Sequence, residues 1–193
     1  MEWPRPNDKL VRSDVDWEYN ACIDVSTPTL GSYAGKFKEA ADILVKEAAA
    51  GDTMLDVVVI PIMFLYRHYL ELTLKEIIVF GREVVGSEPV NNLSREHSLE
   101  NLWQEASVLL TAHYGADVPP ETNAVSLCID DLHQYDPNSF AWRYPTDRDG
   151  KPYLHGLRHI NIRNLYETMS RLASFLDCIG IDLGTAFANH KNG

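Results

Sequence analysis

A chain of 193 residues, 45% of them apolar and 10% aromatic, has the make-up of one ordinary globular core and neither a disordered nor a fibrous composition. Its 28 acidic residues against 17 basic ones give a net charge of -11, which disfavours a nonspecific grip on nucleic acid or on an anionic membrane. Three cysteines, Cys22, Cys128 and Cys178, are widely spaced and form no C-x-x-C pair, so neither a disulfide framework nor a thiolate zinc site is indicated and a reducing cytoplasm fits best.

Residues 1–30 contain Pro4, Pro6 and Pro28 with little helical periodicity and read as an extended arm, packed down through Trp3 and Trp17. The opening residues lack an apolar signal region. A first helix is predicted from Ser32 to about Ala50, with Tyr33, Phe37, Ala40, Leu44 and Ala48 at helical spacing and Gly51 as its stop.

The second helix starts near Asp52 or Asp56, either of which suits a cap, and continues through Phe80 to a stop at Gly81, with Pro61 as a kink in its first third. Its most apolar window, Val57 to Tyr66, is short and soon interrupted by charge, so no membrane span is expected. This helix is apolar on almost every side, as a central helix is. At about 100° per residue, however, Arg67, Glu71, Lys75 and His68 share one arc. A buried unpaired charge is costly, so these four side chains either satisfy one another or face a wet cleft.

Gly86 to Ser94 reads as a loop, after which Ser98 caps a third helix with Leu99, Leu102, Trp103, Ala106 and Leu110 on one face. Pro119-Pro120-Glu121 is a helix-start signature, and Ala124, Leu127, Cys128, Leu132 and Tyr135 continue that helix until Asp136-Pro137-Asn138 ends it. Phe140 to Pro145 and Lys151 to Leu154, joined through Asp149-Gly150, form the expected short β-hairpin. A last helix runs from about Ile160 to Ile179 on Leu165, Met169, Leu172 and Leu176, with Gly180 as cap and a frayed end over 189–193.

The expected architecture is therefore all-α: an arm over 1–30, a bundle of about five helices over 31–180 with a β-hairpin before the last helix, and a tail over 181–193. The segment Phe140 to Arg171 holds six basic residues, Arg143, Arg148, Lys151, Arg158, Arg163 and Arg171, against three acidic ones, so any contact with a polyanion would be local to it.

The order of an Arg67-His68-x-x-Glu71-x-x-x-Lys75 helix, then His97-Ser98-Leu99-x-x-Leu102-Trp103, then Phe140-x-x-Arg143-Tyr144-Pro145 before a final helix resembles bacterial proteins of the HEPN-like helical superfamily. The resemblance spans about Ser32 to Ile179. It implies a helical bundle, a homodimer, and one of two functions. Many such domains are metal-independent endoribonucleases of toxin or defence type, with an Arg-x(4 to 6)-His motif near the start of the last main helix. Others are noncatalytic partners or regulators.

The one spacing match to that motif is Arg148-x6-His155, which spans Asp149-Gly150-Lys151-Pro152, a turn followed by a proline. The second candidate site gathers Arg67, His68 and Glu71 with His97 and Arg143. Guanidinium groups suit phosphate or carboxylate, and Glu71 would orient His68 as a general base. A purely structural alternative has Glu71 pairing Arg67 and Lys75 across one helical turn. His155 and His159 lack the glutamate of a zincin motif, and no Gly-rich phosphate loop or dinucleotide fingerprint occurs, so no metal or cofactor is expected. The preferred reading is a cytoplasmic, noncatalytic interaction or regulatory module with a polar anion-accepting cleft and RNA or a protein as partner. The endoribonuclease acting on RNA is its alternative.

Overall fold

The computed structural model describes residues 3–11, 16–23, 28–88 and 92–192. Five α-helices account for its regular structure: α1 (Leu30–Ala50), α2 (Leu55–Val84), α3 (Leu99–Tyr114), α4 (Thr122–His133) and α5 (Ile162–Asn192). The centre is α2, against which α1, α3 and α5 all pack, while α4 leans on α3.

The all-α bundle agrees with the helical periodicities, but the β-hairpin does not form. Residues 141–143 turn, and the only β pairing among the described residues is a single antiparallel bridge between Thr146 and Pro152. The Asp147 amide donates to the Lys151 carbonyl and the Tyr153 amide to the Pro145 carbonyl, but Pro145 has no amide to return the second bond, so the pairing goes no further. Phe140 to Tyr144 closes instead into a helical turn, its Phe140 carbonyl accepting from the amides of Arg143 at 3.0 Å and Tyr144 at 2.9 Å. The Asp149-Gly150 turn is real: Asp147 Oδ1 accepts from the amides of Asp149 and Lys151, and Gly150 takes φ 79°.

Helix α1 begins in a reciprocal cap. Thr29 Oγ1 accepts from the Ser32 amide and Ser32 Oγ from the Thr29 amide. The Gly31 amide donates to Glu76 Oε1 at 2.8 Å, which sets a carboxylate of α2 on the positive end of α1. The buried stripe of α1 is Ala34, Ala41, Val45 and Ala48, one residue rotated from the expected face, so Tyr33 is exposed while Phe37 and Leu44 lie at the edge. Small alanines let α1 approach α2 closely, and that contact outranks the larger side chains in choosing the face.

Helix α2 begins after Met54, with neither Asp52 nor Asp56 acting as a side-chain cap, and runs through Pro61. It does not stop at Gly81. A Cβ there would lie 3.2 Å from Leu109 Cβ, so this glycine marks a close approach of α2 to α3 rather than a terminus. By length and composition α2 is also long and apolar enough to cross a bilayer, contrary to the sequence expectation; its most apolar window is 56% buried inside the bundle.

Helix α3 starts at Ser98, whose Oγ accepts from the Asn101 amide, and buries all five side chains expected on its face. Helix α4 starts one residue after Glu121 and turns Val125 and Ile129 inward, leaving Leu127 exposed. Helix α5 passes through Gly180 without ending. Leu183 is fully buried and Phe187 packs 5.1 Å from Phe80, so the expected tail is the last part of a 31-residue helix. Contacts with α2 extend the helix past its glycine.

Trp3 and Trp17 are 76% and 75% exposed, so neither fastens the N-terminal arm to the bundle as expected. Pro89 and Asn91 of the expected loop, and Gly193 of the expected frayed end, lie outside the described residues.

Candidate functional site

The polar arc of α2 is enclosed. Arg67 is 1% exposed, Glu71 3% and Lys75 5%. Glu71 sits between two cations on its own helix, with Oε2 at 2.9 Å from Arg67 Nη1 and Oε1 at 2.9 Å from Lys75 Nζ. Both pairs join positions four residues apart, where helix geometry brings side chains together.

One glutamate does not balance two buried cations. The second carboxylate is Asp136, 2% exposed, whose Oδ2 lies 2.8 Å from Arg67 Nε. That contact is an ion pair without the alignment of a hydrogen bond, since both atoms are buried and neither has a hydrogen-bond partner. The other Asp136 oxygen accepts from the amides of Phe140 at 2.7 Å and Ala141 at 2.9 Å. Asp136 thus ends α4, folds the following turn and neutralises Arg67.

The remaining Arg67 donor, Nη2, reaches the His97 carbonyl at 2.5 Å. The His97 ring completes the cluster through Nδ1, 2.9 Å from Glu71 Oε1, and with half its side chain exposed it forms the cluster's edge toward water. Glu96 holds this corner by accepting from the amides of His97 and Ser98 through Oε1 and from Asn101 Nδ2 through Oε2. Burial pushes the Glu71 pKa up, but the hydrogen bonds from Lys75, His97 and Arg67 outweigh it and leave the carboxyl below its ordinary value.

His68 does not join this cluster. Its half-buried ring lies against Phe37, centroids 4.4 Å apart and edge-on, and stacks at 5.9 Å on Phe64. Both Glu71 oxygens are engaged elsewhere, so the expected Glu71–His68 orientation is replaced by Glu71–His97. Desolvation lowers the His68 pKa, the positive charges of Arg67, Lys75 and Arg143 lower it further, and Glu71 opposes them. The balance is downward, which favours the neutral imidazole.

Arg143 also stands apart. It is exposed, donates from Nε to the Ser139 carbonyl, and lies over the rings of Phe140 and Tyr144 at 5.2 and 6.0 Å. Its link to the buried cluster is the main chain, because the Asp136 carboxylate anchors the turn that carries it. Arg148 and His155 are both exposed on the non-helical segment between α4 and α5, not at a helix start. The structure thus brings Arg67, Glu71 and His97 together with Lys75 and Asp136, and leaves His68, Arg143, Arg148 and His155 outside.

Asp136 was the residue that sequence reasoning passed over as a site member. The signal was present: an arc with two cations and one carboxylate needs another acid once buried, and an Asp-Pro sequence at a helix end is already shaped to turn back on itself.

A separate concavity of about 260 Å³ opens between α2, α4, α5 and the segment before α5. Tyr66 contributes its ring to this wall while its hydroxyl donates to Asp42 Oδ1 at 2.7 Å, and Cys128 on the α4 side has its thiol pKa raised by burial and by Asp131. Comparison of the chain with protein-family models, with curated proteins and with solved structures finds no match.

Proposed function

We infer that this protein is a noncatalytic, HEPN-like interaction or regulatory module of the cytoplasm that works as a homodimer. The observation that carries this reading is the closure of the α2 cluster. Arg67 and Lys75 are matched by Glu71 and Asp136, with Arg67 and Glu71 almost wholly removed from water. A phosphoryl-transfer site needs a free cation and a free base facing the same substrate. Here the guanidinium most deeply placed in the fold is already occupied by internal carboxylates, and the cluster is better suited to locking the end of α4 and the start of α3 onto α2.

Anion acceptance is accordingly assigned to the surface, where Arg143, Arg148, Lys151, Arg158 and Arg163 are exposed on an otherwise acidic chain. Self-association is supported by the start of α2, which exposes Met54, Val57 and Ile60 at three-residue spacing. The free state of Cys22, Cys128 and Cys178 is in keeping with a reducing compartment.

The endoribonuclease reading retains one point in its favour: burial of His68 favours the neutral imidazole, the form a general base needs. The two are separated by incubating the purified full-length protein with single-stranded RNA in EDTA. No cleavage is the expected outcome. Cyclic-phosphate products that disappear with His68→Ala or His155→Ala, in variants that still fold, would restore the nuclease.

A further inference from the structure

The concavity between α2, α4 and α5 lies apart from the charged cluster and has the chemistry of a binding site of its own. Its lining sets Tyr66, Trp142, Met63 and Met169 among aliphatic side chains such as Leu70 and Leu172. Because the Tyr66 hydroxyl proton is committed to Asp42, that residue has no O–H donor to offer the cavity. Thioethers are polarisable and pack well against ring edges, so two methionines and two aromatic side chains in one lining give a ring-bearing occupant contacts beyond those that the aliphatic lining offers.

Trp142 adds a second, independent sign. It is 3% exposed, and its indole nitrogen is buried with no hydrogen-bond partner. Buried donors are nearly always satisfied, and an orphan on a residue lining a cavity is a place where an acceptor brought by a ligand gains more than it would at a bonded site.

The rim restricts charge. Among the described lining residues Asp131 is the single carboxylate and His159 the single imidazole, with no lysine or arginine, and no cation is ion-paired to Asp131. Its Oδ1 accepts from Gln134 Nε2 at 2.7 Å. Asn164 and Thr168 add neutral polar groups on the α5 side. An anionic ligand would meet a carboxylate and find no lining guanidinium or ammonium, whereas a neutral or cationic one with N–H donors would find an acceptor.

We propose that this cavity binds a small planar heteroaromatic molecule, neutral or cationic, that carries both a ring acceptor and N–H donors and no phosphate or carboxylate. The volume of about 260 Å³ holds one or two fused rings and is too small for a folded peptide segment. The site does not depend on whether the protein also binds RNA, since its chemistry rejects phosphate.

The test uses the full chain, labelled with ¹⁵N and titrated with 2-(aminomethyl)benzimidazole, whose positive charge sits on the side-chain ammonium and leaves the ring one acceptor and one N–H donor, with naphthalene-2-sulfonate as an anion of similar size and shape. The expected result is saturable binding of 2-(aminomethyl)benzimidazole that moves the Trp142 indole N–H resonance, with the sulfonate at least about tenfold weaker. Asp131→Asn, a substitution at an exposed carboxylate, should weaken the cation at least about fivefold while narrowing the gap to the sulfonate. Thr168→Trp, which puts a bulky ring at a lining position, should remove binding of both. Equal affinity for cation and anion, a shift confined to resonances outside the cavity, or no saturation by about 1 mM would overturn the proposal.

Discussion

Arg67 of α2 and Asp136, in the turn that follows α4, meet with Nε and Oδ2 2.8 Å apart, both closed to water, although α3 and α4 lie between them in the chain. This pair decides what the polar arc of α2 is for. A guanidinium held by Glu71 on one edge and Asp136 on another is a tie between secondary-structure elements, and the turn carrying Arg143 hangs from the same aspartate.

Asp136→Ala is expected to destabilise the fold by about 3 to 5 kcal/mol, because it strands Arg67 with half its compensation and frees the amides of Phe140 and Ala141. Urea denaturation monitored by helical circular dichroism measures it. A loss under about 0.5 kcal/mol would mean that the site is wet and the ion pair incidental.

Glu71→Ala removes the partner of two cations and of the His97 ring, and should cost about 2 to 4 kcal/mol. The double variant with Asp136→Ala should cost less than the sum of the two, since both act on Arg67. Strict additivity in the cycle would argue against a single network.

Acid should weaken the protein in two stages, and both signs agree. His68 has a folded pKa below its ordinary 6.5, so the unfolded chain takes up the proton first; its contribution is complete above that value and is eroded as pH falls below it. Glu71 has a folded pKa below its ordinary 4.5, so its contribution is present above that value and is lost as pH falls through the lower folded one. The urea midpoint should drop between about pH 7.5 and pH 5, and His68→Phe should flatten that step while leaving the more acidic one. An unchanged step would remove His68 from the account.

Two glycines inside helices should respond oppositely to alanine. Gly35 faces open space on exposed α1, so Gly35→Ala gains about 0.5 to 1 kcal/mol from helix propensity. Gly81→Ala drives a methyl against Leu109 Cβ at the α2–α3 contact and should lose about 1 to 2 kcal/mol. Thermal melts of both variants distinguish a packing glycine from a merely tolerated one.

If the basic surface before α5 takes a polyanion, affinity for a single-stranded RNA should fall steeply with salt. Reversing Arg148 and Lys151 together should lower the slope by about one to two units. A salt-independent interaction would point to a protein contact. Val57→Asp with Ile60→Asp should shift the protein from dimer to monomer in light scattering while preserving its helicity; a species unchanged in mass would place the dimer contact elsewhere.

What the chain determines by itself is whatever depends on near neighbours. Helical spacing in α2, α3 and α5 found the core stripes, the Ser98 cap is local chemistry, and an arc of two cations around Glu71 is visible from the four-residue spacing alone. Tertiary contacts decided the rest. Gly81 and Gly180 read as stops, yet α3 over the first and α2 beside the helix carrying the second continue both helices, because packing a helix face outweighs the propensity cost of one glycine. The same holds for the site: Glu71 stands one turn from Arg67 and Lys75 by sequence, but that it holds His97 and not His68, and that Asp136 completes the charge balance, depends on how α3 and the end of α4 lie across α2, a relation between distant segments that no periodicity encodes.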